Sequence, residues 1–317
     1  MNDHRQQFNL DDAVTIRTDL GIFTSEQPRN DVAMSAFSRY LHFYQLPLQT
    51  DKISINAGTT EDGEIVIVAW RPLKSRGTAI IVHGYMDHIG LYRHLIQELL
   101  NRQLTVLCFD AKGHGLSAGE ACSISDFSEY VDRLNEIITM AKGHFKGPLH
   151  GIGQSMGGAV LIKHLINYKT TTPYPFSSLN LFSPLLHPWG WKQSRHLYYL
   201  SRWFIKSIKR VFRSSSWDED FLDFLRHQDP LQPTKVPTDW VGAMNQWILE
   251  FERSDDNDYP INIIQGDHDK TLDWSYNLEQ FKDKFPAASV VVIGNVNHHM
   301  VNELESLRKQ IFAALRL

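Results

Sequence analysis

Cysteine is almost missing from this chain: 317 residues hold only Cys108 and Cys122, too few for a disulfide framework. Cys108 lies in the apolar run TVLCF, where a thiol packs as a small hydrophobe. An excess of charge of one sign is missing as well. The net charge of −4 lacks the basic footprint that neutralising phosphates requires, which argues against nucleic acid as a partner. No apolar run is long enough for a membrane helix. The longest uncharged stretch, residues 170–191, is broken by Pro173, Pro175, Pro184 and Pro188. The opening MNDHRQQFNLDD has no apolar signal-peptide core, so the expected location is cytoplasmic. There is no internal repeat, no phosphate-cradling loop and no dinucleotide G-x-G-x-x-G, so no cofactor is implied. What remains is an ordinary globular balance, 42% hydrophobic and 21% charged. The length suits two domains of about 150 residues, or one large α/β domain with an insertion.

The pattern of apolar residues favours the second. Residues 31–44 keep helical spacing up to Pro47, and residues 53–56 and 64–70 flank a Gly-rich turn as a hairpin. Strands and helices then alternate. Strands are expected at 78–82, 104–109, 149–152 and 179–182, with helices at 91–101, 125–141 and 155–168. The strand runs are apolar without alternation, the mark of burial on both faces. Between residues 184 and 257 no clear strand is expected, only aromatic-rich helical patterns. The alternation resumes with strands at 261–265 and 289–293 and helices at 274–284 and 303–317. Such βα repetition predicts an α/β fold, a mostly parallel central sheet with helices on both faces. The catalytic domain is then 1–183 plus 258–317, and 184–257 is an inserted helical lid.

The sharpest chemical signal is Gly153-Gln154-Ser155-Met156-Gly157. It sits between a short buried strand and an apolar helix, where a nucleophile elbow belongs. The turn lifts the serine hydroxyl above the sheet at a helix N-terminus, whose dipole favours a developing anion. A serine needs a base, and the base needs an orienting acid. Gly266-Asp267-His268-Asp269 follows one late strand and Gly294-Asn295-Val296-Asn297-His298-His299 follows the next. Both loops therefore fall at the sheet edge that carries Ser155. Spacing alone does not choose between Asp267 and Asp269, or between His298 and His299. The oxyanion donors are expected to be the amides of Met156, after the nucleophile, and Tyr85, in the loop after residues 78–82.

Four segments resemble the α/β-hydrolase superfamily, specifically its monoacylglycerol lipase and lysophospholipase-like branch alongside the serine aminopeptidase-type hydrolases. They are His83-Gly84-Tyr85-Met86-Asp87-His88 with Tyr92, Phe109-Asp110-Ala111-Lys112-Gly113-His114-Gly115-Leu116-Ser117, the elbow, and the loop from His298 to Glu303-Leu304. Lys112 stands where the branch usually has arginine, and the insertion is the least alike. The resemblance implies the α/β-hydrolase fold and a catalytic Ser155, His298 and Asp269, leaving Asp267 and His299 as alternates. Asp110 and His114 match positions that are structural in the family. The implied activity is acyl-enzyme hydrolysis of carboxylic esters, with monoacylglycerol or lysophospholipid-like substrates. An aminopeptidase with the same triad, and a non-catalytic binder on the same scaffold, are the alternatives.

His83, Asp87, His88 and His94 resemble a metal cluster only on paper, because Asp87 and His88 are adjacent and His83 leaves directly from a strand. No metal is expected. Within the insertion, Lys192, Arg195, Arg202, Lys206, Lys209 and Arg213 fall on one side of a helix drawn from 191 to 213, with apolar residues opposite. Such a helix either packs its apolar side on the body or meets an anionic membrane surface. Trp217, Phe221, Phe224, Trp240, Trp247 and Phe251 are expected in part to give an aromatic covering suited to an acyl chain and in part to form the insertion's own core. Asp218, Glu219, Asp220 and Asp223 are candidates for holding a peptide's amino terminus.

Overall fold

The computed structural model describes residues 7–24, 31–168 and 172–317. Two helices come first, α1 (Leu10–Asp19) and α2 (Asp31–Phe43). The first was not legible in the sequence. Its buried residues, Asp12, Ala13 and Ile16, make too narrow a stripe to stand out, yet an Asn9–Asp12 capping box closes its N-terminus. Arg39 of α2 then pairs with Asp12.

A hairpin follows, β1 (Ile53–Thr59) against β2 (Val66–Pro72), antiparallel as expected. Next come β3 (Thr78–Val82), a 3-10 turn at Ile89–Tyr92 leading into α3 (Arg93–Asn101), and β4 (Thr105–Phe109). The series continues with α4 (Ser128–His144), β5 (Leu149–Gln154), α5 (Met156–Asn167) and β6 (Phe176–Phe182). The insertion contains α6 (Trp191–Ser201), β7 (Ser207–Lys209), α7 (Glu219–His227), β8 (Lys235–Pro237) and α8 (Thr238–Arg253). The body ends with β9 (Ile261–Gly266), α9 (Trp274–Lys284), β10 (Ser289–Ile293) and α10 (Glu305–Ala313).

One eight-stranded sheet runs β1-β2-β4-β3-β5-β6-β9-β10. Only the pairs that involve β2 are antiparallel, β1–β2 and β2–β4, and every pair from β4 to β10 is parallel. The central strands are apolar without alternation because both of their faces are covered. In β3, Ile80 and Val82 enter the core that contains α4, α5 and α9, while Ala79 and Ile81 enter the core of α2, α3 and α10. Strand order reverses beside β3, since the chain steps to β4 on one side and then to β5 on the other. Ligands bind above the carboxyl ends of strands at such a point.

The insertion separates β6 from β9, yet these strands pair directly, Leu179 with Ile261 through Phe182 with Ile264. The body therefore closes without it. Two expectations for this segment fail. The helix drawn over 191–213 ends at Ser201, and residues 207–209 pair with 235–237 as a two-stranded ribbon. The β-branched Ile205, Ile208 and Val211 favour extended backbone over helix, and the ribbon gives that backbone its partner. Lys206, Lys209 and Arg213 therefore do not share a helix with Lys192, Arg195 and Arg202. The aromatic residues divide: Trp247 and Phe251 are core, whereas Phe221 and Phe224 pack towards α2 and His299.

Candidate active site

The carboxyl end of β5 turns so sharply that Ser155 adopts φ +51°, in the left-handed region. Glycine is required on either side of it. A Cβ on Gly157 would lie 1.9 Å from the Val82 carbonyl oxygen, and one on Gly153 would lie 2.5 Å from the Gly157 backbone. The turn is clamped by the Ser155 amide donating to Phe182 O at 2.9 Å and the Leu185 amide donating to Ser155 O at 3.0 Å.

His298, in the loop after β10, brings Nε2 to 3.0 Å from Ser155 Oγ. Its Nδ1 lies 2.8 Å from Asp269 Oδ2. A carboxylate can only accept, so Nδ1 carries the proton and Nε2 presents a lone pair to the hydroxyl. The other carboxylate oxygen of Asp269 accepts from the amides of Thr271 (2.8 Å) and Leu272 (3.0 Å). Burial works to raise the Asp269 pKa, but His298 and these amides outweigh it and hold it below the usual carboxylate range. For His298, burial alone would depress the pKa. The charge and hydrogen bond of Asp269, with a further push from Asp87, raise it above the ordinary imidazole value.

The two alternates are elsewhere. Asp267 accepts from the Asn295 amide at the surface. His299 turns the other way, with Nε2 3.1 Å from Asp87 Oδ1. The loop after β3 is fixed by a relay in which the Gly84 amide donates to Tyr92 Oη (2.9 Å) and Tyr92 Oη donates to Asp87 Oδ2 (2.9 Å). The Tyr85 ring stacks on Trp240 with centroids 3.6 Å apart. Among the described residues, no protein acceptor engages the amide of Tyr85 or of Met156, so both stay available to an oxyanion.

Asp110 receives the amides of Ile89 (2.7 Å) and Leu116 (2.8 Å) and shapes the loop beneath the site. His83 Nε2 accepts from the Ala111 amide, and burial pushes the neighbouring His114 down to about 3. The residues considered for a metal go to separate partners. His88 pairs with Asp229, Asp87 with His299, and His94 accepts from Arg93 Nε.

Ser155 and His298 open into a cavity of about 740 Å³, lined by Leu197, Leu200, Ile205, Ile208, Val211 and Trp240 among others. A serine hydroxyl, an imidazole oriented by a carboxylate and two unengaged amides beside an apolar cavity form an arrangement capable of acyl transfer.

The family model described as "Serine aminopeptidase, S33" matches residues 74–305, a span that includes all of these groups. The chain belongs to this family. It is 31% identical over 125 residues to a monoacylglycerol lipase of Mycolicibacterium smegmatis, covering 39% of this chain and 43% of that one. It is 35% identical over 119 residues to the monoglyceride lipase of Homo sapiens, covering 37% and 38%. These alignments span less than half the length of those relatives. A longer match, 23% identical over 269 residues and covering 76% and 82%, is to a probable lysophospholipase L2 of Haemophilus influenzae. A monoglyceride lipase structure from Saccharomyces cerevisiae superposes with a TM-score of 0.70 over 85% of this chain and 96% of that one, at 17% identity. The α/β-hydrolase fold expected from the sequence is thereby borne out.

Two residues of the matched motifs hold the site together in ways the sequence does not show. Gln154 Nε2 donates to His298 O at 2.9 Å, tying the histidine loop to the elbow. Glu303 accepts from the amides of Asn297 (2.7 Å) and Trp217 (2.9 Å), which anchors that loop and the insertion together. Both lie in matched motifs, but only the fold reveals what they hold. Arg210, in the cavity wall, was not singled out either.

Proposed function

We propose that this protein is a serine hydrolase that cleaves carboxylic esters of monoacyl lipids through an acyl-enzyme. The observation that carries the reading is the Asp269–His298–Ser155 chain of contacts, 2.8 and 3.0 Å, opening into an apolar cavity of about 740 Å³. Ser155 Oγ attacks the ester carbonyl while His298 Nε2 takes its proton. The amides of Tyr85 and Met156 receive the oxyanion, and each such donor supports the rate by about 10²–10³-fold. His298 then protonates the leaving alcohol, and Asp269 holds the imidazole in the correct tautomer and stabilises its charge. Water, deprotonated by the same imidazole, releases the fatty acid. The names of the relatives support an ester of glycerol as substrate, and the apolar lining supports one long chain.

Residues 184–257 serve as the lid in this reading, with 1–183 and 258–317 as the catalytic body. Ser155→Ala tests the mechanism. Labelling by a fluorophosphonate and fatty-acid release from monoacylglycerol are both expected to disappear. Product release that survives in this variant would reject the proposal, and failure of the wild type to label would favour a non-catalytic binder.

The family description keeps an aminopeptidase in view. Yet Asp218 caps α7, accepting from the Phe221 amide, and none of Asp218, Glu219, Asp220 and Asp223 lines the cavity. Ester cleavage is therefore expected to exceed amino-acid amide cleavage, which a p-nitrophenyl ester and an amino-acid p-nitroanilide will compare.

A membrane-facing role for the insertion is part of the same proposal. Leu200 (77% exposed), Trp203 (78%) and Phe204 (87%) are exposed in the same segment as the exposed Lys192, Arg202, Lys206 and Lys209, and Leu200 also lines the cavity; apolar and basic side chains together suit an anionic bilayer surface. Among the described residues no helix is long and apolar enough to cross a membrane. Changing Trp203 and Phe204 to Ser and Lys206 and Lys209 to Gln is expected to abolish binding to phosphatidylglycerol vesicles, with hydrolysis of a short soluble ester retained. Unchanged vesicle binding would refute the role.

A further inference from the structure

The substrate cavity carries charge mainly of one sign. Arg210, Arg213 and Arg226 line it against one carboxylate, Asp87, and that carboxylate is already held by His299 and Tyr92. A chamber for an acyl chain and a neutral glycerol has no need of three guanidiniums. Arg213 and Arg226 are exposed, whereas Arg210 is half-buried.

Arg210 is also firmly positioned. Its amide donates to Thr234 O at 2.9 Å, just beyond the end of the ribbon. Its Nη1 donates to Gln232 Oε1 (2.6 Å) and Pro233 O (3.3 Å), and its guanidinium lies 4.3 Å over the Phe212 ring. Nε and Nη2 have no acceptor among the described residues, so the free arm of the fork keeps the two-donor geometry that suits a phosphate or carboxylate. Burial pushes the guanidinium below its usual range, and the Asp87 and Asp229 carboxylates partly offset this. Arg210 lines the same cavity as Tyr85 and Ser155.

We propose that Arg210 is the anion receptor of this cavity, and that the enzyme selects monoacyl lipids bearing a phosphate on the glycerol over neutral monoacylglycerols. This rests on the ester-hydrolase reading above and deepens it. Recognition places the phosphate on the free Nε and Nη2 donors, the acyl chain along the apolar wall, and the ester carbonyl over Ser155.

The test compares palmitoyl lysophosphatidic acid with monopalmitoylglycerol in the same neutral-detergent micelles. Wild-type kcat/KM is expected to favour the phosphate lipid by at least about tenfold, the scale of a hydrogen bond to a charged group. Arg210→Gln is expected to lower that ratio by about ten- to a hundredfold, and Arg210→Lys to restore part of it. A wild type that prefers the neutral lipid, or a ratio unmoved by Arg210→Gln, would overturn the proposal, and the first of these needs no variant to fold. Inhibition by glycerol 3-phosphate distinctly stronger than by inorganic phosphate supports a headgroup, whereas equal inhibition without lipid preference assigns the site to a free anion and overturns it. If neither lipid is cleaved while p-nitrophenyl butyrate is, the lipid reading itself fails, a result distinct from loss of the phosphate preference.

Discussion

Three imidazole–carboxylate pairs are buried among the described residues, and two of them involve consecutive histidines. His298 meets Asp269 at 2.8 Å, His299 meets Asp87 at 3.1 Å, and His88 meets Asp229 at 3.0 Å. The distances hardly differ, but the nitrogen used does. His299 and His88 give Nε2 to the carboxylate and turn Nδ1 to a local group, Asn302 Nδ2 in one case and the Gly90 amide in the other. Only His298 gives Nδ1 to its acid, which leaves Nε2 facing Ser155. A buried acid beside an imidazole is thus a common structural device. What turns one into a base is the free outer nitrogen with a hydroxyl in front of it.

The largest expected difference follows directly. His298→Ala removes the base and is expected to cut kcat for p-nitrophenyl butyrate by about 10⁴-fold, roughly 5.5 kcal/mol of barrier. His299→Ala, one residue on, is expected to cost less than about tenfold, since its effect passes only through loop position. Asp269→Asn sharpens the contrast, because it allows the wrong tautomer and is expected to approach the His298→Ala loss. Comparable losses for His298→Ala and His299→Ala would break the distinction drawn here.

The second contrast concerns stability. Asp229 lies in the insertion, His88 in the body, and Tyr44 Oη from just beyond α2 donates to the other oxygen of Asp229 at 2.6 Å. Both side chains of the pair are essentially inaccessible. Asp229→Ala strands an imidazole and a phenol and is expected to destabilise the fold by about 3–5 kcal/mol, read by urea unfolding near pH 6. Burial opposes the charge on His88, but Asp229 raises its pKa above the ordinary value, and His88 in turn holds Asp229 below its own. A raised histidine stabilises below its unfolded pKa, and that contribution fades as pH climbs through the folded value. The depressed aspartate stabilises above its unfolded pKa and fades as pH falls through its folded value. The penalty of Asp229→Ala is therefore expected to shrink towards alkaline pH. A penalty that does not change with pH would show that His88 stays neutral in the pair.

Legibility divides along the same line between body and insertion. Strands such as Thr78–Val82 and Thr105–Phe109 were readable to within a residue, because burial on both faces demands uninterrupted apolar runs and turn residues end them. The elbow was readable because Gly153 and Gly157 have no substitutes at those contacts. The choice of Asp269 over Asp267, and of His298 over His299, came from family resemblance. No local pattern distinguishes which of two neighbouring side chains turns inward. The insertion was misread because charge periodicity over 191–213 imitates a helix, while Leu200, Phe204 and Val211 are largely exposed and so obey no core-facing rule. A surface shaped by what it meets outside the chain leaves weak internal periodicity, and Arg210 belongs to that class.

The smallest expected effect separates the two adjacent histidines most finely. Asp87 is ionised: burial opposes its charge, but His299 and the Tyr92 hydrogen bond hold its pKa well below the usual range. Its charge reaches His298 as a secondary push, in the same direction as that of Asp269. His298 must be neutral to accept the serine proton, so the acid limb of kcat/KM marks its titration in the free enzyme. Asp87→Asn removes one of the two charges that favour protonated His298 and lowers its pKa, so that limb is expected to move to lower pH. Buried charges are poorly screened, and the displacement is accordingly expected to persist in high salt, unlike one caused by the exposed arginines. A limb that stays in place would mean that the Asp87–His299 pair is electrically closed on itself and acts on catalysis only by holding the loop.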